Sequence, residues 1–251
     1  ASESLLADLR SGASAEVYLY HNGMVQRLTE DSEAQSNPAI GAGRLAWQMF
    51  GEIYIHEAGT TEKLTDNSIL DETPALFGQD GIGWIHRSGP AGRGEAIVMN
   101  LDSGESTQIT LDLNEDLGMV GGRFGAAWKR SNPDMTRWEV AWSDGGPRKT
   151  ISAGEYNAVE QLVVGDHLVA WVAVKDGRRT LVAWDGLELV ELLNHLPPNN
   201  RLHLEGNDLA IMTATGPAWL SLQCLPETDA AGDGVVATEH GGLDCDDSHP
   251  D

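Results

Sequence analysis

Apolar residues along the chain fall into short runs broken repeatedly by Gly, Asp and Asn. Two such runs joined by a glycine-bearing turn are the pattern of a β-hairpin. Four copies end in tryptophan: PAIGAGRLAW (38–47), PALFGQDGIGW (74–84), GMVGGRFGAAW (118–128) and QLVVGDHLVAW (161–171). Trp47, Trp84, Trp128 and Trp171 are spaced 37, 44 and 43 residues apart. A fifth copy, LHLEGNDLAIM (202–212), keeps the turn and lacks the Trp. A second hairpin follows each of the first four: EIYIHEAGTTEKLT (52–65), EAIVMNLDSGESTQIT (95–110), WEVAWSDGGPRKTI (138–151) and TLVAWDGLELVEL (180–192). Asp144-Gly145 and Asp185-Gly186 suit tight turns whose central residues take positive φ. The segment EVYLYHNGMVQRLT (16–29) has the same form, with no first hairpin of the set ahead of it.

Four short strands in roughly 40 residues make a unit the size of a propeller blade. The pattern predicts an all-β chain folded as a β-propeller. The hairpins at 16–29 and 202–212 complement each other, which predicts one shared blade and five blades in total. In that closure, strand 17–20 pairs with strand 208–212 and removes the open sheet edges. The segment AWLSLQC (218–224) reads as an extra strand and leaves six blades, or an irregular closure, as the alternative. The four repeat tryptophans are expected to be buried between adjacent blades.

These units resemble the TolB-type β-propeller repeat of bacterial periplasmic and surface proteins. The likeness is carried by Asn37-Pro38, Trp47, Ile53-Tyr54 and Leu64-Thr65, and by Tyr18, Tyr20 and Leu28-Thr29. It extends over residues 16–213 and weakens after Thr110. It implies a fold and an extracytoplasmic setting. It implies no particular activity, because propellers host binding modules, hydrolases, lyases and lactonases alike.

Charge narrows the list of partners. The 251 residues hold 16 basic and 39 acidic side chains, a net charge of −23. A field of that sign repels phosphate backbones and anionic membranes, so no nucleic-acid partner is expected. No apolar run approaches the roughly 18 residues of a membrane span, so no membrane insertion is expected. The reading is a monomer in the periplasm, on the cell surface or secreted, with a propeller at 1–223 and an acidic tail at 224–251.

Loops between blades are where function usually sits on such a scaffold. Three are acidic, contributing Asp31, Asp71 and Asp116 among others. With His195 and His203, which flank the start of an inner strand, they are the candidates for a binding site at the channel face. Carboxylates ringing the channel mouth would suit a cation. Motifs for a nucleophile or a zinc site are absent: there is no G-x-S-x-G and no H-E-x-x-H.

The tail has its own chemistry. Cys224 and Cys245 lie close together in a Gly/Asp-rich segment, which predicts a disulfide, with two free thiols as the alternative. Asp229 and Asp233 followed by Gly234 stand where a calcium loop places oxygen ligands, and the carbonyl of Val235 comes next. Ala231 occupies a position that normally carries a third ligand. Asp244-Cys245-Asp246-Asp247 resembles the second half of the metal-binding motif of MopE-type surface proteins. With the loop spacing and an oxygen-only ligand set, the expectation is one Ca²⁺ held by Asp229, Asp233, the Val235 carbonyl, Asp244 and Asp246 or Asp247, with a plain acidic tail as the alternative. The same resemblance raises copper at Trp84-Ile85-His86, a Trp-x-His arrangement. That copper site is disfavoured, because Trp84 is one of the four repeat tryptophans. The leading functional reading is a non-catalytic binding module. The alternative is a carbohydrate-active or lactone-cleaving propeller enzyme with a metal at its channel.

Overall fold

The computed structural model describes residues 4–7, 15–21, 23–30, 32–152, 156–198, 200–205, 208–213 and 216–221. They form six antiparallel sheets, each a simple up-and-down meander. The first contains β1 (Ser4–Ala7), β2 (Val17–His21) and β3 (Met24–Arg27). The second contains β4 (Gln35–Gly41), β5 (Arg44–Met49), β6 (Glu52–Glu57) and β7 (Thr60–Lys63). The third contains β8 (Asp71–Phe77), β9 (Gly81–His86), β10 (Glu95–Asn100) and β11 (Ser106–Gln108). The fourth contains β12 (Glu115–Gly122), β13 (Gly125–Ser131), β14 (Trp138–Ser143) and β15 (Lys149–Thr150). The fifth contains β16 (Ala158–Val164), β17 (Val169–Lys175), β18 (Arg178–Trp184) and β19 (Leu189–Asn194). The last contains β20 (Arg201–Glu205), β21 (Asp208–Thr213) and β22 (Gly216–Ser221). The only helical element among the described residues is a 3₁₀ turn at Pro90–Gly92.

The repeat units of the sequence are these sheets, and the expected closure is not what joins the ends. Strand β2 pairs with β1 and β3, and β21 pairs with β20 and β22. Among the described residues no pairing links β2 to β21. Two three-stranded sheets therefore replace the single shared blade. Two short strands account for the difference. The four-residue β1 carries too little pattern to declare itself, and β22 is the extra strand seen in AWLSLQC.

The core lies between sheets, because a sheet of mixed apolar and polar residues must cover its apolar face with a neighbour. Trp47 packs with Val17, Leu19 and Leu28 of the first sheet. Trp84 packs with Ile53 and Ile55 of the second, and Trp128 with Phe77, Ile85 and Val98 of the third. Trp171 packs with Val140 and Trp142 of the fourth. All four repeat tryptophans are buried, at 0–5% exposure, each filling the seam with the preceding sheet. Leu202, Leu209 and Ile211 close the last seam against Val172 and Leu181.

Candidate functional site

The turns within hairpins lie at one end of the sheets. The loops joining hairpins and sheets lie at the other, and the buried polar residues concentrate there. A column runs across the sheets at the start of each first strand: Gln35, Asp71, Asp116 and Val159, paired with Met49, His86, Arg130 and Ala173. Two residues before each partner stands the repeat tryptophan. Where the column holds Asp, the indole is satisfied: Trp84 Nε1 donates to Asp71 Oδ1 and Trp128 Nε1 to Asp116 Oδ1, both at 3.0 Å. Where it holds Gln or Val, the buried Nε1 atoms of Trp47 and Trp171 have no partner among the described residues.

A second column links the start of the next-to-last strand in each of the first four sheets to the end of that sheet. Thr29 Oγ1 donates to Glu16 at 2.6 Å and accepts from Val17 N, and Thr65 does the same for Glu52 and Ile53 N. The Leu-Thr ending of the repeat is thus a clasp that satisfies a buried carboxylate. In the third sheet Thr110 still accepts from Ala96 N, yet neither oxygen of the fully buried Glu95 has a partner among the described residues. Burial pushes the Glu95 carboxyl above its usual range and neighbouring Asp116 adds to it, outweighing the opposite pull of the nearby Thr110 hydroxyl and Asp112 backbone. Burial raises Asp116 as well. In the fourth sheet Glu139 is drawn instead to Arg130 Nε at 3.2 Å. Arg130 is itself buried, and also pairs with Asp112 and faces Asp116. Burial opposes the charge on Asp112, but the Asn114 amide and the Arg130 guanidinium outweigh it and hold that carboxyl below its usual range. Arg87 bridges Glu72 and Glu115, tying the third sheet to the fourth.

The candidate acids of the channel face are therefore internal. Asp71 is fully buried and binds Trp84, His86 Nδ1 and Asn67 Nδ2; Asp116 is fully buried beside Trp128. Trp84 and His86 of the Trp-x-His arrangement both turn to the same carboxylate. His195 follows β19 and His203 lies on β20; both are exposed. Among the described residues no group of three or more His, Cys, Asp or Glu is arranged to hold a metal. Asp31 lies outside the described residues, as do Cys224, Cys245 and the calcium candidates Asp229, Asp233, Val235, Asp244, Asp246 and Asp247.

The feature the sequence reading missed is the cavity between the first strands. β4, β8, β12 and β16 carry a bulge at one repeat position, with Asn37, Thr73, Gly118 and Gln161 at φ of 51°, 51°, 61° and 42°. Positive φ is costly for the β-branched Thr73, so the neighbouring structure must hold it. Each bulge disrupts pairing and bends its strand. A cavity of about 500 Å³ opens among these four strands. Its lining includes the apolar side chains of Pro38, Ile40, Pro74, Leu76, Met119 and Leu162; Asn37, Thr73, Gln161 and Lys129 supply side-chain polar groups, and polar atoms form the larger part of the exposed wall. Further along, the same strands draw together. A Cβ on Gly121 would run into the Leu76 carbonyl, and one on Gly122 into that of Val164. The signal in the sequence was the Pro at 38 and 74, directly after the bulged residue.

No protein-family model and no curated protein sequence matches this chain. Its fold does match solved structures. TolB from Acinetobacter baumannii superposes with a TM-score of 0.53 at 15% identity, over 86% of this chain and 65% of that one. The fold is that of a TolB-like β-propeller. One of two prolyl endopeptidases gives 0.51 at 10% identity, over 76% of this chain and 36% of that one. A puromycin-hydrolysing peptidase of Mycobacterium tuberculosis gives 0.52 at 12% identity, over 84% and 41%. This chain spans less than two-thirds of that TolB and less than half of either peptidase, and at these identities the likeness is one of fold. No helix among the described residues is long and apolar enough to cross a membrane.

Proposed function

We propose that this chain is a non-catalytic binding module, secreted, periplasmic or surface-exposed, whose propeller takes its ligand in the cavity between the first strands. The observation that carries the reading is the composition of the cavity wall. Among the described residues it holds apolar side chains, glycines, amides, a threonine and one lysine, and no His, Asp, Glu, Ser or Cys. Hydrolysis or elimination most often uses a carboxylate, imidazole, serine or thiol as base or nucleophile, and Thr73 and Lys129 are the only described lining side chains that could take such a role. A cavity that combines apolar side chains with convergent polar groups suits recognition. The setting and the calcium in the tail rest on sequence patterns alone.

One observation favours the enzyme alternative. Asp71 holds His86 by Nδ1, which orients the ring as a base is oriented in hydrolases, and the His86 side chain is 14% exposed. The two readings separate in one experiment. The purified protein is assayed against chromogenic glycosides, lactones and peptide esters, with elemental analysis before and after chelation. The binding reading expects no turnover above the rate of a His86→Ala variant. Turnover that this variant loses would establish the enzyme.

A further inference from the structure

We propose that the cavity between the first strands is a site for a small organic monocarboxylate, an apolar tail bearing one carboxylate, and that Lys129 binds the carboxylate. The inference rests on the binding reading above and names its ligand class. The decisive feature is a cation left alone in an acidic protein. With 39 acidic side chains to 16 basic ones, a lysine here has acidic groups in excess to pair with, and the other three lysines each have a partner. Lys63 pairs with Asp66 and Glu52, Lys149 lies over the Trp142 ring at 5.0 Å, and Lys175 also has an interaction. Lys129 is half-buried at the cavity wall and has no ion-pair or hydrogen-bond partner among the described residues.

Its placement is built rather than incidental. Lys129 lies on the inner strand β13, opposite Leu117 of β12 and Val140 of β14, and its stem passes over Gly118. A Cβ at Gly118 would stand 3.2 Å from Lys129 Cε, so the glycine leaves the room in which the lysine lies. The side-chain amide of Gln161 and the hydroxyl of Thr73 sit at the same bulge level. A carboxylate there would gain a charge-assisted hydrogen bond to Lys129 and neutral ones from its neighbours. The tail would lie against Pro38, Pro74, Leu76 and Met119. Size and shape select a small molecule over a threaded chain. The cavity, at about 500 Å³, is of ordinary small-ligand volume, and the strands close together at Leu76–Gly121 and Val164–Gly122.

The chain's four lysines make the test direct. Reductive ¹³C-methylation preserves their charge and gives each a separate NMR signal, with that of Lys129 assigned by its loss in Lys129→Arg. The probes are 4-methylpentanoate, its amide, and an apolar tripeptide with a free C-terminus. The expected result is a saturable shift of the Lys129 signal with millimolar 4-methylpentanoate and none with the amide. Isothermal titration on unmethylated protein should show Lys129→Met binding the acid about tenfold or more weakly, with Lys129→Arg retaining most of the affinity. Lys129 has no partner to lose among the described residues, so both variants are expected to fold, which a thermal melt checks. Equal shifts with acid and amide, no shift with the acid, or a shift with the tripeptide alone would each overturn the proposal. None of these outcomes involves turnover, so they are separate from failure of the binding reading.

Discussion

At the scale of single residues, the repeat is defined less by its apolar positions than by where it hides polar ones. A tryptophan buried in a seam has an N–H that needs an acceptor, and Asp71 and Asp116 supply it from 13 and 12 residues earlier in the chain. Trp128 fills the seam between the third and fourth sheets, so Trp128→Ala should lose about 3–5 kcal/mol in urea unfolding. Glu95 is the opposite case, a carboxylate in the clasp position whose oxygens find no well-formed hydrogen bond among the described residues. Its raised titration, with that of Asp116, has a definite consequence for stability. Above the ordinary carboxylate value of about 4, the unfolded chain has released protons that the folded chain still holds. The stability these two groups contribute is full in acid and is lost as pH rises through their raised values. Glu95→Gln removes one of the two groups. The variant should be more stable than the parent at neutral pH, and its stability should fall less between acidic and neutral pH. Parallel pH profiles for the two proteins would show that Glu95 is solvated after all.

At the scale of strands, the first strand of each sheet does two jobs along its length. Its beginning is bulged and opens the cavity; its end lies against the neighbouring first strand. Gly121 is the contact point, where β12 meets the backbone of Leu76 in β8 with no room for a side chain. Gly121→Ala should therefore cost about 3 kcal/mol, at the high end for overpacking, because the obstacle is backbone rather than a side chain that can move aside. A thermal melt measures this, and an unchanged midpoint would mean the two strands can part. The hairpins and their tryptophans were legible in the sequence because period, turn glycines and spacing all repeat. The roles of Asp71 and Asp116 were not, since each stands at the junction of an acidic loop and a strand, where a carboxylate ordinarily faces water. Only register shows them two places ahead of the tryptophan's partner. The bulges at Asn37, Thr73, Gly118 and Gln161 escaped for a related reason. An inserted residue leaves the apolar pattern intact on both sides and shows only in the pairing. The closure failed on β1, since four residues of SLLA carry no turn, no tryptophan and no clasp to identify them.

At the scale of the whole molecule, charge is the quantity that the fold must manage. The sheets hold many of their acids by internal pairing: Glu16 with Arg27, Glu72 and Glu115 with Arg87, and Asp112 and Glu139 with Arg130. Sequence 224–251 has no Lys or Arg to do the same for Asp229, Asp233, Asp244, Asp246 and Asp247. Clustered carboxylates without cations repel one another unless an ion neutralises them, and oxygen ligands without imidazole or thiolate select a hard ion. The sequence pattern thus predicts that millimolar Ca²⁺ orders this segment, with a Cys224–Cys245 disulfide holding the two halves of the motif together. With Ala231 in place of one ligand, affinity should fall in the weak range of extracellular modules, about 10⁻⁴–10⁻³ M. Limited proteolysis provides the measurement: cleavage within 225–251 should be rapid in chelator and slow in millimolar Ca²⁺. Two controls keep the result specific. Mg²⁺ at the same concentration should protect less, because it demands tighter octahedral geometry and gives up its water reluctantly. Sodium chloride at matched ionic strength should also protect less, because screening lessens repulsion without joining the two halves. Equal cleavage in chelator and in Ca²⁺ would leave the carboxylates without a cation and remove calcium from the account of this protein.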